Sequence, residues 1–349
     1  MAAWDILIDR KDLRRIEVRP APDPAPLAEG EARLEIERFA LTANNITYGI
    51  IGDSFGYWKF FPAEDGLGRI PVWGFAKVVE SRVADAPVGL RLFGYLPMST
   101  HFVARLAKGR HGYVDTAAHR AELPPTYNAY AEAPADALDD HRALLRPLFM
   151  TSWLLDDLLS EDTGIASLVL SSGSSKTAMG LASLARKRGV EVVGLTSPGN
   201  ADKLAQFGLY DRVVTYDKLD GLSAKAPACY VDFAGDPQVT RAVHTALGEG
   251  LTRSLIVGVT HWQDGGAAGD LPGPTPTLFF APDQIRKRAA EWGAAELDAR
   301  FDAALRAFVT ESDWLRLTYH TGPDALVAAY GDVLEGRARP DQGHIIRPV

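Results

Sequence analysis

One segment, 167–196, constrains the fold of this chain more than any other. Ser167-Leu168-Val169-Leu170 is a short apolar run that ends in Ser171-Ser172-Gly173-Ser174-Ser175. Between Thr177 and Arg188, Ala178, Leu181, Ala182 and Ala185 recur at i, i+3, i+4 and i+7, and after Gly189 comes Val190-Glu191-Val192-Val193-Gly194-Leu195. A strand, a turn of small residues, an amphipathic helix stopped by glycine and a second strand make one βαβ unit, with parallel strands and a right-handed crossover. Strand candidates at 212–216, 228–233 and 254–259, each preceded by a stretch able to form a helix, extend it to a doubly wound parallel sheet.

The chain before about residue 110 follows a different period. Arg33-Leu34-Glu35-Ile36-Glu37-Arg38-Phe39 alternates polar and apolar, and 72–81 and 89–96 repeat the theme between Pro and Gly, as a β-rich barrel-like domain would. Between 115 and 140, Pro124, Pro125 and Pro134 interrupt Tyr127, Asn128 and Tyr130, so this stretch reads as a surface insertion or lid. Helical periodicity returns at 282–309 and 323–334, and His344-Ile345-Ile346-Arg347 ends the chain as a strand. A length of 349 residues suits two domains, expected as 1–147 with 282–349, carrying a lid near 110–140, and 148–281.

Charge and cysteine content narrow the function classes. The 37 Lys and Arg against 45 Asp and Glu give a net charge of -8, the wrong sign for a general nucleic-acid binder. The single cysteine, Cys229, allows no internal disulfide, so a reducing compartment, the cytoplasm, is expected. No apolar run approaches the roughly 18 residues of a membrane span, and the N-terminal residues lack a signal-peptide core. The expected partner is a small-molecule substrate, with no membrane or nucleic acid and with a homodimer left open.

The layout and several motifs together resemble the medium-chain dehydrogenase/reductase superfamily. The motifs are Gly30-Glu31-Ala32-Arg33-Leu34, Val88-Gly89-Leu90-Arg91-Leu92-Phe93-Gly94-Tyr95, Val231-Asp232-Phe233-Ala234-Gly235 and the ending Gly343-His344-Ile345-Ile346-Arg347-Pro348. Leu278-Phe279-Phe280 before a long helical segment is similar to the zinc-free quinone oxidoreductase branch, and an uncharacterised bacterial subfamily of it is expected. The resemblance implies an α/β fold: a Rossmann-like doubly wound parallel-sheet domain plus a β-rich, chaperonin-10-like barrel domain. Zinc-using members place Cys and a Gly-His-Glu triplet where this chain has Trp73-Gly74-Phe75-Ala76, and the scattered His101, His111, His119 and His141 do not replace them. No metal is expected.

A dinucleotide turn needs glycines so that backbone amides and the helix N-terminus can approach the pyrophosphate. Ser172, Ser175 and Ala178 stand where the superfamily has glycines, and Lys176 falls within the turn. Ser172, Gly173, Ser174, Ser175, Lys176 and Thr177 can cradle phosphate, or can simply form a tight turn between helix and sheet. About twenty residues on, where an NAD-selective site carries a carboxylate, the chain has Thr196 and Ser197. An uncharged end tolerates a 2'-phosphate. The resemblance implies Lys203 and Tyr216 as its partners, although a gapless alignment puts Asn200 at the lysine position. NADP is favoured over NAD.

In the superfamily the reaction cleft lies between the domains, which directs attention to 42–63. There Tyr48, Tyr57 and Lys59 can donate a proton or hydrogen-bond an enolate oxygen, and Asn45 stands near a conserved acidic position of the family motif. Phe55, Trp58, Phe60 and Phe61 wall a pocket or fill the barrel core. Arg110, His111, His119, Arg120, Arg286, Lys287 and Arg288 would suit an anionic substrate if they converged, and otherwise form a solvated face. The resulting expectation is a zinc-free NADPH-dependent oxidoreductase acting on an activated C=C or C=O (enone, quinone or enoyl-type). The alternative is a lyase, an isomerase or a cofactor-free binding protein on the same fold, raised by the missing glycines.

Overall fold

The computed structural model describes residues 3–21, 24–64, 66–257 and 271–348. In chain order the elements are β1 (Trp4–Asp9), β2 (Ile16–Pro20), β3 (Glu31–Leu41), α1 (Ala43–Ile50), β4 (Leu67–Gly68), β5 (Pro71–Ser81), β6 (Arg91–Pro97), β7 (His101–Gly109), β8 (Gly112–Asp115) and β9 (Ala129–Glu132). Next come α2 (Asp139–Ser160), β10 (Ser167–Leu170), α3 (Lys176–Lys187), β11 (Glu191–Thr196), α4 (Pro198–Gln206), β12 (Arg212–Thr215), β13 (Ala228–Asp232), α5 (Pro237–Leu247), β14 (Leu251–Val257) and β15 (Thr277–Phe279). The chain closes with α6 (Ala281–Trp292), α7 (Ala294–Glu311), β16 (Arg316–Thr321), α8 (Gly322–Leu334) and β17 (Gln342–Arg347). It divides into two units, Met1–Leu144 with Leu315–Val349, and Leu145–Trp314.

In the first unit the order β16-β17-β3-β5-β6-β9-β8-β7, with β7 also pairing β3, closes six strands into a barrel and leaves β17 and β16 as an extension. The period-two pattern at 33–39 becomes β3, where Leu34 and Ile36 are buried and residues 33, 35 and 37 are not. Trp58 lies in the same core, flanked by Gly52 and Gly68; a methyl group at either glycine would strike its indole. Close approach of an aromatic side chain is the reason glycine is needed at both places.

The stretch expected to be a lid is part of this barrel. β8 and β9 pair with each other, β8 with β7 and β9 with β6, so 112–132 carries two of the six barrel strands. Arg120, expected among solvent-facing charges, is buried. Its guanidinium lies 3.2 Å from the Asp115 carboxylate and over the Phe61 ring at 4.6 Å. The Asp115 Oδ1 atom also accepts from the backbone N–H groups of Arg105 and Ala117. Arg110, His111 and His119 do not join it in an anion site, and His119 Nε2 instead lies 3.3 Å from the Phe60 carbonyl.

In the second unit six parallel strands run in the order β12-β11-β10-β13-β14-β15, so the first strand, β10, lies at the centre, where successive crossovers change direction. Of the strand expected at 254–259, 254–257 belong to β14, while 258 and 259 lie outside the described residues. The helical stretch 282–309 is two helices, α6 and α7, and both belong to this unit, not to the barrel unit as expected. Their core partners explain it: Phe301 packs 6.2 Å from Phe149 and 5.8 Å from Trp153, and Phe308 stacks on Phe149 at 4.5 Å. Arg286, Lys287 and Arg288 form ion pairs with Asp283, Glu161 and Asp157, respectively, and so do not converge on a substrate anion. Among the described residues no helix is long and apolar enough to cross a membrane.

Candidate functional site

The turn between β10 and α3 lies at the C-terminal end of the central strand. Ser172 has φ 45°, a left-handed conformation that side chains other than glycine rarely adopt. The backbone shape expected of glycine is therefore kept by a serine. Gly173 donates its N–H to the Leu195 carbonyl at 2.8 Å, and a Cβ on it would come within 3.1 Å of that oxygen, so the turn presses directly on β11. Ser175 is the N-cap of α3, its Oγ accepting from Ala178 N–H at 3.2 Å. The Ser174 and Thr177 hydroxyls make no hydrogen bond among the described residues, and Lys176 is half-buried in the first turn of α3.

Neighbouring elements fix this turn. The Ser171 hydroxyl donates to Asp232 Oδ1 at 2.7 Å and accepts from Phe233 and Ala234 N–H, which locks the ends of β10 and β13 together. Tyr210, not anticipated from sequence, donates its hydroxyl to the Gly173 carbonyl at 2.7 Å, and its ring lies against Gly194. Tyr216, expected beside a 2'-phosphate, reaches the turn itself, where its hydroxyl accepts from Ser172 N–H at 2.8 Å. Thr196 is buried at the end of β11, Ser197 caps α4 and accepts from Asn200, and Lys203 is half-buried along α4.

These groups fit a dinucleotide phosphate. A left-handed turn, a helix N-terminus and two uncommitted hydroxyls supply donors, and the end of β11 carries no carboxylate to oppose a 2'-phosphate.

In the barrel unit the aromatic residues of 42–63 converge with others from β5, β6 and the segment before β9. Tyr48 lies with its ring centroid 4.5 Å from Tyr57 and 5.6 Å from Tyr95, and Tyr127 is 4.8 Å from Tyr95 and 5.8 Å from Tyr57. Trp73 closes one side, 5.1 Å from Tyr95. The Tyr57 and Tyr127 hydroxyls are 3.4 Å apart, while Tyr48 accepts from Asn44 Nδ2 at 2.7 Å and from Trp73 Nε1 at 3.4 Å. Burial raises the phenol pKa of Tyr48, Tyr57, Tyr95 and Tyr127, and the crowding of phenols on one another adds to the shift for Tyr48, Tyr57 and Tyr95. All four therefore keep their protons and can act as O–H donors.

Two expected members do not join them. Asn45 is buried with Oδ1 accepting from the Thr42 N–H and hydroxyl and Nδ2 donating to the Pro71 carbonyl, so it ties the start of α1 to β5. Lys59 is exposed on the helical turn Tyr57–Lys59, with no hydrogen bond to a tyrosine hydroxyl. Their places are taken by Asn44, Trp73, Tyr95 and Tyr127. The Tyr95 and Tyr127 side chains were visible in sequence only as parts of a motif and of the misread lid. Among the described residues no group of three or more His, Cys, Asp or Glu is placed to hold a metal ion.

Residues 39–339 match the model of the family described as "Protein of unknown function (DUF2855)". The chain belongs to that family. No curated protein matches it. Among solved structures it is similar to CurA of Vibrio vulnificus in complex with NADPH, at 15% identity and a TM-score of 0.66 over 99% of both chains. It is similar also to the CurK enoyl reductase, at 12% identity and a TM-score of 0.63 over 100% of both. A Mesorhizobium loti protein provisionally named an NADPH:quinone reductase matches at 15% identity and a TM-score of 0.63, covering 99% of this chain and 98% of that one. Member of the DUF2855 family as it is, the chain has the fold of the medium-chain dehydrogenase/reductase superfamily: a closed β-barrel unit and a parallel Rossmann-like sheet.

Proposed function

We propose that this DUF2855 member is an NADP(H)-dependent, zinc-free oxidoreductase that reduces an activated C=C or C=O. The observation that carries the reading is the turn at 171–177, where Ser172 holds a left-handed backbone in front of a helix N-terminus although no glycine stands there. Strain of this kind persists where surrounding structure over-determines it, and such residues cluster at ligand clamps. The complex of V. vulnificus CurA with NADPH and the names of the other two relatives support the same direction.

In this reading Ser174, Thr177, Lys176 and the amides at the start of α3 bind the phosphates, and Ser197, Lys203 and Tyr216 face the ribose end. Bound NADPH supplies hydride. The barrel unit supplies what zinc supplies elsewhere: neutral tyrosine O–H groups, Tyr48 first, that hydrogen-bond the oxygen on which negative charge develops. The chemistry accordingly calls for a conjugated carbonyl compound as substrate, and the reducing location of the protein is taken to be the cytoplasm.

A second reading, a lyase or isomerase without dinucleotide, is favoured by one contact: the Tyr216 hydroxyl occupies Ser172 N–H and so removes one amide from those available to a phosphate. The two readings separate on a panel of enones, quinones and enoyl thioesters assayed for NADPH oxidation. The reductase reading expects turnover of at least one conjugated carbonyl class and a loss of about tenfold or more in kcat for Tyr48→Phe. Substrate conversion with no change in NADPH would support the second reading instead.

A further inference from the structure

The backbone N–H groups of the turn after β10 are committed one by one, with a single exception. Ser172 N–H goes to the Tyr216 hydroxyl, Gly173 N–H to the Leu195 carbonyl at 2.8 Å and Ser175 N–H to the Ser172 carbonyl at 2.7 Å. Ser174 N–H has no acceptor among the described residues, and Ser174 is half-buried. This N–H shares a peptide unit with the Gly173 carbonyl, and in a planar trans peptide the two bonds point in opposite directions. Whatever fixes the Gly173 carbonyl therefore aims the Ser174 amide. The carbonyl is held by Tyr210, whose hydroxyl donates to it at 2.7 Å. Tyr210 is buried just before β12 and reaches the turn across β11 at Gly194, where a Cβ would come within 2.7 Å of its ring. A Cβ on Gly173 would in turn come within 3.3 Å of Gly194 Cα, so two glycines open the passage for one side chain. With the carbonyl drawn towards the buried phenol, the Ser174 N–H points away from it, one residue before the N-cap of α3.

We propose that Ser174 N–H is the phosphate-binding amide of this turn, and that Tyr210 is the positioning residue that aims it, acting through the Gly173 carbonyl. A phosphate at the start of α3 meets the positive end of the 173–174 peptide dipole only while that unit keeps its orientation. Turned over, the unit would present its carbonyl oxygen and repel the anion. The Tyr210 hydroxyl opposes this rotation, because a turned unit would leave a buried phenol without its acceptor. The same bond closes the turn directly after Ser172 and so helps to hold the left-handed backbone of a residue that is not glycine. This assignment rests on the reading of the turn as a dinucleotide site, and names within it the contacting amide and the residue that orients it.

The test uses the full chain with NADPH as probe. Fluorescence titration reads the dissociation constant, and NMR of the nitrogen-labelled protein reads the Ser174 amide. NADPH should bind the parent and move the Ser174 amide proton downfield, the signature of a hydrogen bond to an anion. Tyr210→Phe keeps the ring and removes only the hydroxyl. It should weaken NADPH binding about ten- to a hundredfold, the worth of one hydrogen bond to a charged group, and abolish the downfield shift. A tyrosine that merely packed against Gly194 would lower the melting temperature on losing its hydroxyl and leave the dissociation constant in place. Circular dichroism verifies that the variant is folded; if it is not, the Ser174 resonance of the parent decides alone. The proposal is overturned by a folded Tyr210→Phe that binds NADPH as tightly as the parent, or by a Ser174 amide that stays in place when NADPH saturates the parent. In both cases the dinucleotide reading stands. A parent that does not bind NADPH overturns that reading, and the assignment with it.

Discussion

Replacing Asp115 by Asn isolates a single charge inside the barrel. Asp115 and Arg120 side chains are each 2% exposed and 3.2 Å apart, and the Arg120 guanidinium also lies over Phe61. The asparagine Oδ1 can still accept from Arg105 and Ala117 N–H as the carboxylate does, so the backbone of β7 and β8 keeps its support. What is lost is the compensation of a buried guanidinium. Removing one partner of such a pair typically costs about 3–5 kcal/mol, because the other charge is left without water or counter-charge. Arg120→Met in the same background removes that orphan, so the double variant should be more stable than Asp115→Asn alone, and the cycle should give a coupling of about 2 kcal/mol or more. Urea unfolding followed by tyrosine and tryptophan fluorescence measures it. A loss below about 0.5 kcal/mol for Asp115→Asn would mean that Arg120 is hydrated and that 112–132 is a surface loop after all.

Three further outcomes follow from the geometry. Ser172→Gly relieves left-handed strain at a backbone-entropy cost of similar size, so stability should stay within about 1 kcal/mol of the parent, whereas Ser172→Val should lose about 1–3 kcal/mol; equal losses in chemical denaturation would contradict a strained turn. Lys176→Met should leave the circular dichroism spectrum unchanged and weaken NADPH binding about ten- to a hundredfold, the worth of one charge-assisted hydrogen bond, as read by fluorescence titration. Gly52→Ala drives a methyl group into the Trp58 indole and should cost about 1–3 kcal/mol, seen as a lower Tm; an unchanged melt would show that Trp58 is free to move.

Local periodicity was enough to place five of the six strands of the parallel sheet, and β15 was not anticipated. The apolar run at 167–170, the small-residue turn and the i, i+3, i+4, i+7 spacing at 178–185 became β10 and α3 within a residue or two of where they were expected. The barrel segment 112–132 was not legible, because two four-residue strands separated by prolines have too few positions to show an alternation. What makes them strands is pairing with β6 and β7, which no local pattern encodes. The periodicity of 282–309 revealed that a face is buried but not which core receives it; only the packing of Phe301 and Phe308 on Phe149 answers that. At the site the error was one of phase. Asn44 and Asn45 are adjacent on α1, and successive helical residues point about 100° apart, so Asn45 meets Pro71 while Asn44 meets the Tyr48 hydroxyl one turn on. Tyr95 could be counted in the sequence, but its place beside Tyr48 is a property of the packed barrel.

The central claim, that the turn after β10 holds an NADP-type dinucleotide, is tested most directly by titrating the purified chain with NADPH and with NADH and following intrinsic fluorescence and melting temperature together. A ligand that binds only the folded chain must raise its apparent stability. Saturable binding of NADPH, tighter than that of NADH because Thr196 and Ser197 stand where a carboxylate would repel the 2'-phosphate, is the expected result. Failure of both nucleotides to saturate or to shift the melt at millimolar concentration would contradict it.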